Sequence, residues 1–361
     1  MKKKLLSILV CASMISAMLA GCGSKGTDET ASSSSNESTT ESKDASDLTI
    51  AILVKNAGNP YNEKESAGFQ KVIEDAGATC IVKAPESATA EAQITMINEL
   101  VAQHVDAIAI AGNDPDALQP ALKEAMSQGI KVLSLDSSVN SDSRLVHVNQ
   151  AGIELIGQTL VDAVADLAGE GGGEFAILSA TSQATNQNAW IESMQAELEK
   201  DARGLKLVKI AYGDDEFQKS VDETEALIKN YPDLKVICAP TTVGIMAAAK
   251  VVTDKGLTDT IKVTGLGLPS EMADYIGEDA VCPYMYLWNP LDIGALAAYT
   301  ALELVGGTIT GAAGETFTAG DLGDNSGAYE IVEAADGGTE IILGSPFKFD
   351  PSNIEDWKTV Y

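Results

Sequence analysis

Aromatic residues are few in this 361-residue chain: Phe, Trp and Tyr together make up 5% of it. Histidine is rarer still. His104 and His147 lie in different segments, so imidazole offers no metal site, and each reads as a structural or surface residue. Positive charge is scarce as well, with 24 Lys and Arg against 53 Asp and Glu and a formal net charge of −29. Such a surface repels phosphate backbones, which argues against nucleic acid as a partner, and solubility alone accounts for it. After the N-terminus no stretch approaches the ~18–20 continuous apolar residues of a membrane-spanning helix. The chain carries no GxSxG, HExxH or GxxxxGK[ST], and no CxxC. "GEGGGEF" (169–175) precedes a strand pattern and so is no dinucleotide phosphate loop, and "GLGLP" (265–269) reads as a tight turn. Carboxylates are plentiful, yet nothing in the sequence places two at the ~5–10 Å separation of a glycosidase pair. No catalytic residue, metal or cofactor is assigned, and binding is favoured over catalysis.

The N-terminus is different in kind. "MKKK" is a charged region, "LLSILVCASMISAM" an apolar one, and "LAGC" closes it with small residues before a cysteine. This resembles the signal peptide and lipobox of bacterial lipoproteins. The resemblance implies removal of 1–21 and lipidation of Cys22, which would hold the protein at the extracytoplasmic face of the cell membrane. Residues 24–47, "SKGTDETASSSSNESTTESKDASD", are half Ser and Thr without apolar periodicity. They read as a disordered tether with an r.m.s. reach of about 25–30 Å. Of the other cysteines, Cys11 falls within the signal, and Cys80, Cys238 and Cys282 read as small buried hydrophobes with at least one free thiol.

From residue 48 on, apolar runs of strand length alternate with helical patterns. "LTIAILV" (48–54), "ATCIVK" (78–83), "VDAIAIAG" (105–112), "IKVLSLD" (130–136) and "RLVHV" (144–148) form a first array. "FAILSA" (175–180), "LKLVKIAY" (205–212), "LKVICAP" (234–240), "IKVTGLG" (261–267) and "CPYMYLW" (282–288) form a second. A helix over 289–307 follows, and the tail holds two short strands around a Gly-Gly turn. The fold class is α/β: two doubly wound parallel-sheet lobes joined by a hinge, since near-continuous apolar strands alternating with helices are buried on both faces.

Ligands of open parallel sheets sit beyond the carboxyl ends of the strands. There the sequence supplies Lys55, Asn56, Asn59, Pro60 and Tyr61, then Asp136, Ser137 and Ser138. The second array adds Asn186, Gln187, Asn188 and Trp190, then Thr241 and Thr242, then Trp288 and Asn289. The run "TNQNAW" stands out, because one helix start needs one cap and not three amides. Amides match sugar hydroxyls as donor and acceptor together, a carboxylate accepts from two adjacent hydroxyls, and aromatic rings cover apolar C–H faces. Singly, each residue has an ordinary reading: Asn186 as an N-cap, Asp136 as a turn residue, Trp190 as core, Tyr61 and Trp288 as hinge packing. Their recurrence at one topological place in both arrays points to a polyol site.

The lipobox, the tether and the paired arrays resemble the type I periplasmic sugar-binding proteins of ABC transporters. "TNQNAW", "APTTVGI", "TGLGLP", "LWNPLDIGALAAY" and "GSPFKFDPSNIEDW" are similar to the branch that binds rhamnose or autoinducer-2. The resemblance implies a ligand set of Lys55, Asn56, Tyr61 and Asp136 from one lobe and Asn186, Gln187, Pro240 and Thr242 from the other, with Trp288 near the hinge. Autoinducer-2 binders carry an acid where Asn186 stands and a small residue where Thr242 stands, so rhamnose is favoured. It further implies a monomer that delivers a sugar to an ABC permease, with an autoinducer-2 binder or a sugar-sensing receptor for a chemotaxis or kinase partner as the alternative. The chain would cross between lobes three times, near 148–150, 286–289 and after Gly320. The N-terminal lobe would then hold 48–148 and 289–320, and the C-terminal lobe 149–288 and 321–361.

Overall fold

The structure is a computed structural model that describes residues 44–322 and 326–361. The segment expected to be a signal peptide, Cys22 and most of the expected tether lie outside the described residues. The last tether residues, Ala45–Asp47, form one 3-10 turn where the sequence suggested disorder.

The first sheet is built from β1 (Thr49–Leu53), β2 (Thr79–Lys83), β3 (Ala107–Ile110), β4 (Lys131–Leu135) and β5 (His147–Asn149). They alternate with α1 (Pro60–Asp75), α2 (Ala90–Ala102) and α3 (Pro115–Ser127). The second part runs α4 (Ile153–Ala168), β6 (Gly173–Ser179), α5 (Thr185–Lys200), β7 (Leu205–Tyr212), α6 (Phe217–Asn230), β8 (Leu234–Ala239), α7 (Thr242–Asp254) and β9 (Lys262–Gly265). The short α8 (Pro269–Met272) and β10 (Met285–Leu287) follow, then α9 (Pro290–Gly306). The remainder is β11 (Thr316–Thr318), β12 (Ala328–Glu330), β13 (Val332–Glu333), β14 (Thr339–Ile342), β15 (Phe347–Phe349) and α10 (Ile354–Trp357).

Strand order in the first sheet is β13-β14-β5-β4-β3-β1-β2, parallel except for the β13–β14 pair. The second sheet, β7-β6-β8-β9, is wholly parallel. Central strands are apolar along their whole length: β3 is buried at every position, and so is β1 after Thr49. Helices cover both faces, which is the two-lobed α/β arrangement that the alternating pattern predicts.

Helix starts follow local chemistry. Asn59, Asp114 and Asn289 each cap a helix whose next residue is proline, which has no N–H to leave unpaired. Helix α9 returns to the first sheet by lying against α1 at very short range. A Cβ on Gly294 would stand 1.9 Å from the Glu65 carbonyl oxygen, and one on Gly68 would stand 2.0 Å from that of Leu291.

The tail corrects the expected lobe boundary. Residues after Gly320 do not all join the second lobe, because β14 adds to the first sheet in parallel with β5, Glu340 opposite His147. Polar contacts fix it there: Asn149 Nδ2 donates to Glu340 Oε2 (2.8 Å), Arg144 pairs with Asp336 (2.8 Å), and Thr339 Oγ1 donates to the Gly311 carbonyl (2.7 Å). The chain rejoins the second lobe only with β15, which pairs antiparallel with β10.

Candidate functional site

The strand ends are fastened before any ligand is considered. Gln93, fully buried, donates through Nε2 to the carbonyls of Val54 (3.2 Å) and Ala111 (2.7 Å), and its Oε1 accepts from Asn113 N–H (2.9 Å). Asn113 Nδ2 in turn donates to the Lys55 carbonyl (2.9 Å). One amide pair thus holds the exits of β1 and β3 and sets where the Lys55 side chain begins. Asn59 caps α1 by accepting from Tyr61 N–H (3.0 Å), which brings Tyr61 and Asn62 into the first turn at the same strand ends. Asp136 leaves β4 in the left-handed region, at φ 54°, a conformation that aspartate tolerates better than most side chains.

Helix α5 begins differently from α1, α3 and α9. Ala184 occupies its N-cap position and no side chain caps it. Asn186 Oδ1 accepts from Gln187 N–H within that first turn (3.0 Å), and the Asn186 and Gln187 side chains otherwise reach across to the first lobe. Asn188 secures the preceding loop, donating to the Ser182 carbonyl (3.0 Å).

A cavity of about 370 Å³, counting all space not filled by atoms and its mouth, lies between these ends. Lys55, Asn59, Tyr61, Asn62 and Asp136 line it from the first lobe. Gln187, Trp190, Asp215, Pro240, Thr241, Thr242 and Leu266 line it from the second, with Leu287 and Trp288 from the crossing segment. Trp190 and Trp288 meet edge to face, with ring centroids 5.6 Å apart and planes at 62°. They supply an apolar wall beside the polar one.

The polar wall is one connected network. Lys55 Nζ donates to Asn186 Oδ1 (3.0 Å) and Gln187 Oε1 (3.3 Å) and stands 3.7 Å from Asp136 Oδ2. Asn186 Nδ2 donates to Asp136 Oδ2 (3.2 Å), while Tyr61 O–H (3.3 Å) and Gln150 Nε2 (3.4 Å) donate to Oδ1. Trp288 Nε1 donates to the Tyr61 hydroxyl (2.6 Å). Burial pushes the Asp136 carboxyl upward against the pull of Lys55 and the hydrogen bonds from Tyr61 and Asn186, and the charge of Asp215 adds to the rise. Burial, then the fields of Asp136 and Glu65, hold the Tyr61 phenol well above its usual value. Glu65 lies on α1 with both carboxyl oxygens lacking hydrogen-bond partners, and burial raises it well above the carboxylate range. Such a site offers donors and acceptors on one side and ring faces on the other.

Of the residues singled out from sequence, Lys55, Tyr61, Asp136, Gln187, Pro240, Thr242 and Trp288 line this cavity. Asn186 is buried beside it and bonded to both Lys55 and Asp136. Asn56 does not line it, which corrects the sequence expectation. Asn62 Nδ2 donates to both the backbone and side-chain oxygens of Asn56 (3.0 and 2.9 Å), folding that loop onto α1. Asn56 then borders a separate groove with Gly58, Ser66 and Val82. Asn59, Asn62, Trp190, Asp215, Thr241, Leu266 and Leu287 join the lining without having been assigned to the site. Applied to "LKLVKIAY" as well, the strand-end rule reaches Asp215; for Asn62 and Trp190, helical phase is the signal.

Elsewhere, Cys80, Cys238 and Cys282 are free thiols, the last two buried. His147 is buried, its Nδ1 2.9 Å from Ser134 Oγ, and His104 is exposed. Among the described residues no group of three or more His, Cys, Asp or Glu is placed to hold a metal, and no helix is long and apolar enough to cross a membrane.

Comparison with known proteins bears directly on this geometry. A family model described as a periplasmic binding protein domain matches residues 50–309. The chain is 60% identical to an ABC transporter solute-binding protein from Clostridium phytofermentas whose structure holds bound L-rhamnose. That match has a TM-score of 0.84 and covers 87% of this chain and 99% of that one. It is 26% identical over 226 residues to the D-ribose/D-allose-binding protein of Pseudomonas aeruginosa, covering 60% of this chain and 69% of that protein. LsrB from Clostridium saccharobutylicum, solved with AI-2, shares the fold at 22% identity and a TM-score of 0.79, covering 86% of this chain and 99% of that one.

Proposed function

The chain belongs to the periplasmic binding protein family, and we propose that it captures L-rhamnose in the inter-lobe cavity and delivers it to an ABC permease. It is a sugar-binding protein of an ABC transporter, and its family is one of solute-binding proteins. The observation that carries the choice of sugar is the likeness, over most of the chain, to a solute-binding protein holding L-rhamnose. The site's chemistry supports it. Asp136 and the amides suit vicinal hydroxyls, and the Trp190–Trp288 wall suits a deoxysugar methyl group. Asn186 and Thr242 depart from the acid and small residue of autoinducer-2 binders, which weighs against that ligand.

Lys55, Tyr61 and Asp136 bind from the first lobe, and Asn186, Gln187, Pro240 and Thr242 from the second. A ligand gripped by both lobes stabilises their closed arrangement, so capture and closure are one event. The "LAGC" pattern supports lipidation of Cys22 and a place on the outer face of the cell membrane. Mass spectrometry of the N-terminal peptide tests that point: an unmodified Cys22 on the cell-derived protein sinks the anchor.

A thermal-shift panel of L-rhamnose, other deoxysugars, ribose, common hexoses and autoinducer-2 tests the ligand. A sugar at 100-fold its dissociation constant adds roughly 2.7 kcal/mol of stability, an easily read shift. L-Rhamnose is expected to give the largest. A shift with autoinducer-2 alone would overturn the choice of ligand, and silence across the panel would overturn the sugar reading.

A further inference from the structure

Asp215 is the carboxylate of the lining that the site read from sequence left out. It follows β7, whose exit is fixed by Gly213 N–H to the Ser179 carbonyl (2.9 Å) and Asp214 N–H to the Ala180 carbonyl (3.1 Å). Both aspartates of this "GDD" turn stand in the left-handed region, at φ 55° each. Two successive non-glycine residues there are uncommon, and such backbone is held only where surrounding contacts over-determine it. The turn sends its two acids different ways. Asp214 is paired with Lys219 on the surface side, whereas Asp215 lines the cavity.

Asp215 is also aimed. Thr241 stands at the N-cap position of α7 yet caps nothing. Its hydroxyl instead donates to Asp215 Oδ1 at 2.6 Å. A helix start has thus given up its cap bond to orient a carboxylate. The second oxygen, Oδ2, has no hydrogen-bond partner among the described residues. Across the cavity stands Asp136, also left-handed and at a strand end, and the charge of Asp215 reaches it.

We infer that Asp215 is a ligand-binding residue of the second lobe, accepting hydrogen bonds from sugar hydroxyls opposite those read by Asp136. The inference rests on the sugar-binding reading and deepens it. A carboxylate on each wall means that hydroxyl donors of one neutral polyol bridge two acceptors that would otherwise only repel each other. Ligand specificity then depends on donors presented in two directions. An analogue lacking the hydroxyl that faces Asp215 leaves a carboxylate oxygen unpaired.

The test is calorimetric titration of the whole chain, in detergent, with L-rhamnose and its singly deoxygenated analogues. Three proteins are compared: the unaltered chain, Asp215→Asn and Asp214→Asn. Asparagine keeps the size of aspartate and its tolerance of left-handed backbone, and Asp214→Asn removes the same charge one residue away. Asp215→Asn is expected to weaken L-rhamnose at least about tenfold, the usual scale of a lost hydrogen bond to a charged group, with an unchanged melting temperature. Asp214→Asn should stay within about twofold of the unaltered chain, a surface ion pair contributing little. One deoxy analogue should lose affinity in the unaltered chain but not in Asp215→Asn, a coupling that a merely structural role would not produce. Affinity within twofold for Asp215→Asn, or equal losses in both variants without such coupling, overturns the inference alone. Absence of L-rhamnose binding by the unaltered chain overturns the proposed function and the inference with it.

Discussion

Lys55 Nζ donates to Asn186 Oδ1 at 3.0 Å, joining the end of β1 to the first turn of α5 across 131 residues of chain. Asn186 works in both directions, since its Nδ2 donates to Asp136 Oδ2 at 3.2 Å. An amide can accept from the lysine through its oxygen and donate to the aspartate through its nitrogen, which a carboxylate at this position, having only acceptors when ionised, cannot do.

Asn186→Asp is therefore expected to damage the site at neutral pH. It replaces a donor with a second carboxylate beside Asp136, and like charges so close cannot both ionise without cost. L-Rhamnose affinity at pH 7.5 should fall at least about tenfold, with part of the loss recovered near pH 5, where the pair can hold a proton. Calorimetry at the two pH values checks this, and equal affinity at pH 7.5 would contradict it.

Tyr61 links the apolar and polar walls, accepting from Trp288 Nε1 at 2.6 Å and donating to Asp136 Oδ1 at 3.3 Å. Tyr61→Phe keeps the ring and strands the indole N–H in a buried place. Urea unfolding should show a loss of about 1–3 kcal/mol. A variant as stable as the parent would mean that the hydroxyl holds nothing.

The α1–α9 contact should be intolerant of one methyl group. Gly294→Ala places a Cβ 1.9 Å from the Glu65 carbonyl oxygen, backbone that cannot step aside. A loss of about 1–3 kcal/mol or more is expected, read by thermal unfolding. Gly306→Ala, with no heavy atom within 4 Å of its added carbon, is the control and should not destabilise.

His147 sets an acid limb on stability. Burial, then the Arg144 charge, depresses its imidazole from 6.5 to about 3 against the opposing field of Asp336. The folded chain thus refuses a proton that the unfolded chain accepts. Its contribution is fully present above pH 6.5 and is lost as pH falls from there toward 3. Between pH 7 and 4, His147→Gln should flatten the decline by an amount on the order of 1–3 kcal/mol, measured by urea unfolding across pH. Parallel curves for the two proteins would refute the assignment.

The alternation of apolar strands and helices was legible because both faces of each sheet are covered, leaving near-continuous runs such as "AIAI" in β3. Lys55, Asp136 and Gln187 were legible because strand exits are fixed by the topology. The side to which a loop amide turns was not, because it depends on one partner: Asn62 takes up Asn56 and enters the cavity in its place. The third crossing was hidden for a related reason. A Gly-Gly turn announces the β13–β14 pair, but only the contacts of Glu340 and Asp336 with residues 144–149 decide which sheet receives it. Asp215 was within reach of the same strand-end rule applied to β7, but the left-handed turn that sends it and not Asp214 into the cavity is signalled by no periodicity.

The central claim is that one sugar sits between Asp136 and Thr242, held by both lobes. A crystal structure of the protein grown with L-rhamnose tests it most directly. The account predicts a single sugar in this cavity, its hydroxyls on Asp136 and the amides and its methyl group against the Trp190–Trp288 wall. Sugar bound at any other surface, or a cavity without it at saturating concentration, would contradict the account.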